Sequence, residues 1–181
     1  PRLASAKDAV TRALALDPNS VRALSLLAQV HLARDEPVVA GIAVAALRQR
    51  GARPGDIAWL EAEVHRAQGD SLAARRIITD AGARIWGHVP GLFLRAELER
   101  RQGRSQLACM TLSRILRIDP AWGPAYVMRA LVRANLGDRR GGWADAELAA
   151  RLGRPEWGAA ATALIDISMG DARTVRPRAR Q

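Results

Sequence analysis

The sequence predicts an all-α solenoid of stacked antiparallel helix pairs, and three observations lead there. A unit of 34 residues holds its phase: Ala6, Ala40, Ala74, Ala108 and Gly142 stand one period apart, as do Ala28, Ala62, Ala96 and Ala130. A bulkier series, Val10, Val44, Ile78, Leu112 and Ala146, keeps the same period, and a turn-forming series runs Asp35, Gly69, Gly103, Gly137. No alternating strand pattern of useful length intervenes. Small, bulky and turn-forming residues that each recur in their own phase mark one supersecondary element copied and stacked. Stacked units of this kind present extended binding surfaces.

The elements follow in order. Residues 1–20 read as a half-repeat whose helix, Leu3 to Leu16, ends at Asp17-Pro18-Asn19-Ser20. Repeat 21–54 opens with Val21 to Arg34, where Leu24, Leu27, Ala28 and Leu32 form a stripe at helical spacing. After Asp35-Glu36-Pro37 a second stripe runs through Val39, Ala40, Val44 and Leu47, and Gly51 to Gly55 stops it. Pro37 suits a first helical turn, where its missing amide costs nothing. Repeat 55–88 breaks at Gly69-Asp70-Ser71, repeat 89–122 at Gly103-Arg104-Ser105 and Asp119-Pro120, and repeat 123–155 at Gly137-Asp138. A glycine that ends one helix, followed by Asp or Ser that accepts the first free amides of the next, is the expected punctuation. The last helix, 156–169, is apolar all round through Ala159, Ala160, Ala161, Leu164, Ile165 and Ile167, which suits a buried helix. Residues 171–181 form a basic tail, with Arg173, Arg176, Arg178 and Arg180, expected to be disordered.

These residues resemble the tetratricopeptide repeat, a helix-turn-helix unit of the same length. Leu24, Leu27, Ala28 and His31 match its first helix, Ala40 and Val44 its second. Ala6, Val10, Ala13 and Pro18 match a second half alone, and Tyr126, Ala130 and Gly137 mark a further unit. Departures are Glu61, Arg95 and Arg129 at the usual Leu position, Gly142 at an Ala position, and Ala52 and Trp86 in place of the closing Pro. The resemblance spans about residues 3 to 170 and implies a right-handed superhelix of about four full repeats with terminal half-repeats. Both ends then look uncapped, which points to a piece of a longer protein or to self-association through the terminal helices.

The resemblance also implies where a partner binds: the first helix of each pair lines the inner curve. Inward positions on that pattern are Arg22, Ser25, Gln29 and Leu32, then Asp56, Trp59, Glu63 and Arg66, then Pro90, Phe93, Glu97, Arg100 and Arg101, then Val127, Leu131, Ala134 and Asn135. Trp59 with Phe93, Glu63 with Glu97 and Arg66 with Arg100 are one period apart, a ladder of aromatic, acid and base suited to an extended or helical peptide. The competing reading pairs Glu63 with Arg66 and Glu97 with Arg101 inside their own helices, and packs the two rings between repeats. The Lys, Arg and Asn set of family members that clamp a carboxylate-ended peptide is not matched by Ser25, Gln29, Trp59, Glu63, Phe93 and Glu97.

Composition narrows the classes. With 49% apolar and 25% charged residues the chain belongs with folded rather than disordered sequences. No apolar run approaches the roughly 20 residues of a membrane-spanning helix. The net charge is +10, and every basic residue but Lys7 is arginine. Residues 95–140 carry ten Arg against Glu97, Glu99, Asp119 and Asp138. Such a field would attract acidic partners or nucleic acid, yet the arginines spread over several helix faces and no nucleic-acid motif accompanies them. Solvated arginines are therefore preferred, and nucleic acid is disfavoured.

No cofactor, metal or catalytic motif is expected. His31 and His65 share the phase where the family places an aromatic, His88 lies in a loop, and Cys109 packs beside Ala108 with no adjacent base. No phosphate loop, nucleophile elbow or paired-carboxylate motif appears. The preferred reading is a non-enzymatic scaffold or adaptor for a partner protein or peptide, within a bacterial envelope, secretion or polysaccharide-export assembly. The alternative is a regulatory or substrate-recruiting appendage of an enzyme whose catalytic domain is elsewhere. Compartment is left open by the sequence.

Overall fold

The computed structural model of the chain describes residues 2–152. The expected helix 156–169 and the basic tail 171–181 lie outside the described residues. Among the described residues the chain is all helical: α1 (Arg2–Leu16), α2 (Val21–Ala33), α3 (Pro37–Gln49), α4 (Pro54–Ala67), α5 (Ser71–Ala81), a 3-10 turn (Gly82–Ile85), α6 (Val89–Arg101), α7 (Ser105–Ile118), α8 (Gly123–Asn135) and α9 (Arg139–Arg151). They divide into two compact units, with the boundary between Leu94 and Arg95. In the first, α1 packs on α2, α2 on α3, α3 on α4 and α4 on α5; in the second, α7 packs on α8 and α8 on α9.

The turn-forming phase has a backbone cause. The amides of Glu36, Asp70, Arg104 and Asp138 bond the carbonyls of His31, His65, Glu99 and Arg133, each at 2.9 Å. One residue earlier, the amides of Asp35, Gly69, Gly103 and Gly137 bond Leu32, Arg66, Arg100 and Ala134 at 3.0 to 3.1 Å. This is the Schellman closure, made at these four positions and once more at the end of α3, where the Ala52 and Gly51 amides bond Leu47 and Arg48, and it satisfies carbonyls that the helix end would strand. It needs a left-handed residue, with φ of 61°, 84°, 72° and 84° in the four copies. Glycine takes that conformation without a Cβ clash, and Asp35 takes it against one.

The next helix starts at once. Ser20 Oγ accepts the amide of Ala23 at 3.4 Å, Asp70 Oδ1 that of Ala73 at 2.9 Å and Asp138 Oδ1 that of Gly141 at 2.9 Å. Prolines occupy the first turns of α3, α4 and α8 instead. Exit and entry are thus fixed within three residues, which is why one helix folds back on the last.

The small and bulky phases are the core. Ala28, Ala62, Ala96 and Ala130 are completely buried, as are Ala40, Ala74 and Ala108. Val10, Val44, Ile78, Leu112 and Ala146 are buried beside them. In the first unit Leu24, Ala28, Ala40, Val44, Leu47 and Leu60 belong to one cluster, with Leu27, Leu32 and Trp59 packed against it. Truncating a fully buried Leu47 or Leu60 to Ala should cost about 2–5 kcal/mol.

One element departs from the expected pattern. α5 stops after 11 residues, whereas α7, its period-mate, runs 14. Gly82 stands where α7 has buried Leu116, so it offers the core no side chain. The chain tightens instead into the 3-10 turn, which brings Ile85 in to complete burial.

Candidate functional site

The residues expected to face a partner fall in both units. In the first, Arg22 on α2 is exposed, while Gln29, half-buried, directs Nε2 at Ser25 Oγ at 3.5 Å. On α4, Trp59, Glu63 and Arg66 recur at helical spacing on one face, all half-buried. Trp59 rests partly on the core cluster and meets the His88 ring, centroids 5.3 Å apart and planes at 50°. Arg66 closes on Glu63 Oε2, with Nη2 at 2.6 Å and Nε at 2.8 Å. Phe93, near the start of α6, is also half-buried.

In the second unit Glu97 accepts from Arg101 Nη2 at 2.6 Å. The in-helix pairing of Glu63 with Arg66 and of Glu97 with Arg101 is therefore present. Arg100 is different: its Nε is buried and has no hydrogen-bond partner. Asn135, exposed at the end of α8, borders a depression of about 520 Å³ with Gly103, Ser105 and Leu136.

Charged residues at the Leu phase each find a partner. Glu61 pairs with Arg48 of α3. Arg95 pairs with Glu99 at 2.8 Å, and Glu99 in turn accepts from Thr111 Oγ1 at 2.8 Å. Arg129 grips Asp145 with both arms, Nε at 2.8 Å and Nη2 at 2.7 Å, while Nη1 donates to Ser113 at 3.1 Å. Arg133 adds a third bond to Asp145 at 2.9 Å, and the Arg129 guanidinium lies 5.6 Å from the Tyr126 ring centre. Burial disfavours the charge on Arg129, but Asp145 outweighs it and holds the guanidinium pKa above its ordinary value. These carboxylates pin helices together. Asp145 stands one and two periods after Thr111 and Ile77 and is buried, as Thr111 is.

The histidines all sit beside carboxylates. His31, buried, has Nδ1 2.6 Å from Glu36, and with Arg34 holds the Glu36 carboxyl below the usual range. His65 is 3.9 Å from Asp70. His88 has Nε2 2.8 Å from Asp56 Oδ1, and its Nδ1 accepts the Gly91 amide at 3.0 Å, so this loop residue caps α6. Sequence reasoning placed His88 in a loop but missed the cap, because a histidine caps only when the chain ahead of it turns its ring back. Cys109 is half-buried on α7. Among the described residues no three His, Cys, Asp or Glu side chains gather into a cluster able to hold a metal, and no helix is long and apolar enough to cross a membrane.

No protein-family model matches the chain, and no curated protein matches it. Solved structures do. The chain is similar to YrrB, described as a TPR protein with an unusual peptide-binding site, at a TM-score of 0.61 and 15% identity over 89% of this chain and 84% of that one. Two crystal structures of MamA are similar at TM-scores of 0.60 and 0.58, with 16% and 14% identity, covering 85% and 99% of this chain and 90% of each of theirs. At such identity the likeness is one of fold, and with the repeated helix-turn-helix geometry described above it gives the described residues an all-helical, tetratricopeptide-repeat fold.

Proposed function

We propose that this chain is a protein-interaction module that holds a protein or peptide partner on the face built by the first helices of its pairs, without chemistry of its own. Trp59 carries the reading. It is a large ring left half-open on a first helix, beside the Glu63–Arg66 charge pair, and aromatic side chains that become buried on binding dominate binding energy. The fold is one that YrrB, a TPR protein with a peptide-binding site, also has. Arg22, Gln29, Glu63, Arg66 and Phe93 would complete the face in the first unit, and Glu97, Arg100, Arg101 and Asn135 that in the second. A bacterial envelope, secretion or polysaccharide-export assembly is the context we favour.

The test is affinity capture from source-cell lysate with wild type and the Trp59→Ala/Phe93→Ala double variant as baits, read by mass spectrometry. A protein held by the wild type and lost by a variant of unchanged helicity supports the reading. Equal capture by both, or release of everything by moderate salt, rejects this face as the site.

A further inference from the structure

We propose that His88 is the positioning residue of the Trp59 site and makes that site acid-sensitive, because its ring ties the first turn of α6 to α4 through two nitrogens that cannot both keep their bonds once the ring is protonated. The inference takes from the proposed function only the role of Trp59; the device itself stands on geometry.

The Gly91 amide donates to Nδ1 at 3.0 Å, so Nδ1 must offer a lone pair. The proton of the neutral ring is then on Nε2, which donates to Asp56 Oδ1 at 2.8 Å. Each bond selects the same tautomer, and together they hold the ring against Trp59 at 5.3 Å. The seat is close: a Cβ on Gly91 would lie 2.9 Å from Nδ1. The groups around the ring are Asp56 and Arg53 at the start of α4 and Arg84 of the 3-10 turn, which share a depression of about 410 Å³ with His88. Along α4, Glu63 and Arg66 are spent on each other, and α6 carries no charge between Val89 and Leu94.

Burial lowers the His88 pKa, and Asp56, which pushes the other way, does not restore it. When the ring does take a proton, Nδ1–H faces the Gly91 amide donor to donor and the cap is lost, while the bond to Asp56 gains charge. The ring is drawn toward Asp56, and Trp59 loses the face that positions it.

The experiment is an NMR titration of the uniformly labelled 181-residue chain from about pH 8 to 5, following the His88 ring nitrogens, the Gly91 amide and the Trp59 indole, the last assigned with Trp59→Phe. We expect an Nε2-protonated neutral ring, and a single midpoint below the ordinary value of about 6.5 shared by all three signals. His88→Asn keeps a good capping side chain but does not titrate, so in it the Gly91 and Trp59 signals should stay flat. An Nδ1-protonated neutral ring, a Trp59 signal that ignores the His88 midpoint, or an unchanged titration in His88→Asn would each overturn the proposal. Partner capture and this titration fail independently, since the latter needs no partner.

Discussion

Replacing Arg129 by leucine restores the residue type that Leu27 supplies at the same phase, and it should nevertheless destabilise the protein. Asp145 is 1% exposed, and its carboxylate receives two bonds from Arg129 and one from Arg133. Arg129→Leu strips Oδ1 of its partner and leaves a buried charge held by Arg133 alone. Removing one member of a buried ion pair costs about 3–5 kcal/mol. The surviving 2.9 Å bond from Arg133 sets the expectation at the lower end, about 3 kcal/mol. Arg129→Leu/Asp145→Leu removes both charges and should return to within about 1 kcal/mol of wild type. Urea unfolding followed by helical circular dichroism reads both variants: a slope of about 1–3 kcal/mol per molar converts the single-variant loss into a midpoint lower by about 1–3 M. A single variant that loses under about 1 kcal/mol, or a double variant no better than the sum of the two single changes, would refute the view that Arg129 is retained to satisfy Asp145.

Asp35→Gly relieves the one non-glycine left-handed residue among those described, and should raise stability by about 0.5–1 kcal/mol in the same assay. Gly55→Ala should destabilise by about 1–3 kcal/mol, because its Cβ would lie 2.7 Å from the Arg84 carbonyl oxygen. Gly41→Ala is the control: its Cβ meets only Val64 at 3.8 Å, so helix propensity should make it neutral or stabilising by up to about 1 kcal/mol. Stability should also fall with acid in two windows. The lowered pKa of His88 means that the unfolded chain takes the proton first, so stability is full above about 6.5 and declines as pH drops from there to the folded value. The lowered pKa of Glu36 contributes stability above the ordinary value of about 4.5 that is lost as pH falls through its folded value. Urea midpoints measured from pH 8 to 3 should lose the upper window in His88→Asn and the lower one in Glu36→Gln.

What the sequence made legible is what packing and backbone geometry force to repeat. Ala28 and Ala62 recur because two helix backbones meet there, and Gly69 and Gly103 because a Schellman turn needs φ above zero. Such constraints act on one position at a time, so each leaves its own periodic trace. The Arg129–Asp145 pair showed in the sequence only as Arg129 at a Leu position, and which side chain reaches which is a matter of distance. The shortened α5 followed from Gly82 and Ile85 together, two residues that only make sense once Leu116 is known to be buried. His88 was illegible for the same reason: its cap and its bond to Asp56 depend on a turn that no residue pattern announces.

The ladder of expected partner-facing residues behaves in the same way. By period, Arg66 corresponds to Arg100, and a strictly repeating surface would pair Glu97 with Arg100 as it pairs Glu63 with Arg66. The bond goes instead to Arg101, four residues on, where the orientation of acid before base suits the helix dipole. A partner that reaches for Glu63 or Glu97 must first displace an arginine already bonded at 2.6 Å. Arg100 sets no such competition at Nε, a donor that is buried and unbonded, and leaving such a donor unmet costs about 1–3 kcal/mol. What distinguishes Arg100 from Arg66 is the single residue by which the pairing slips out of period.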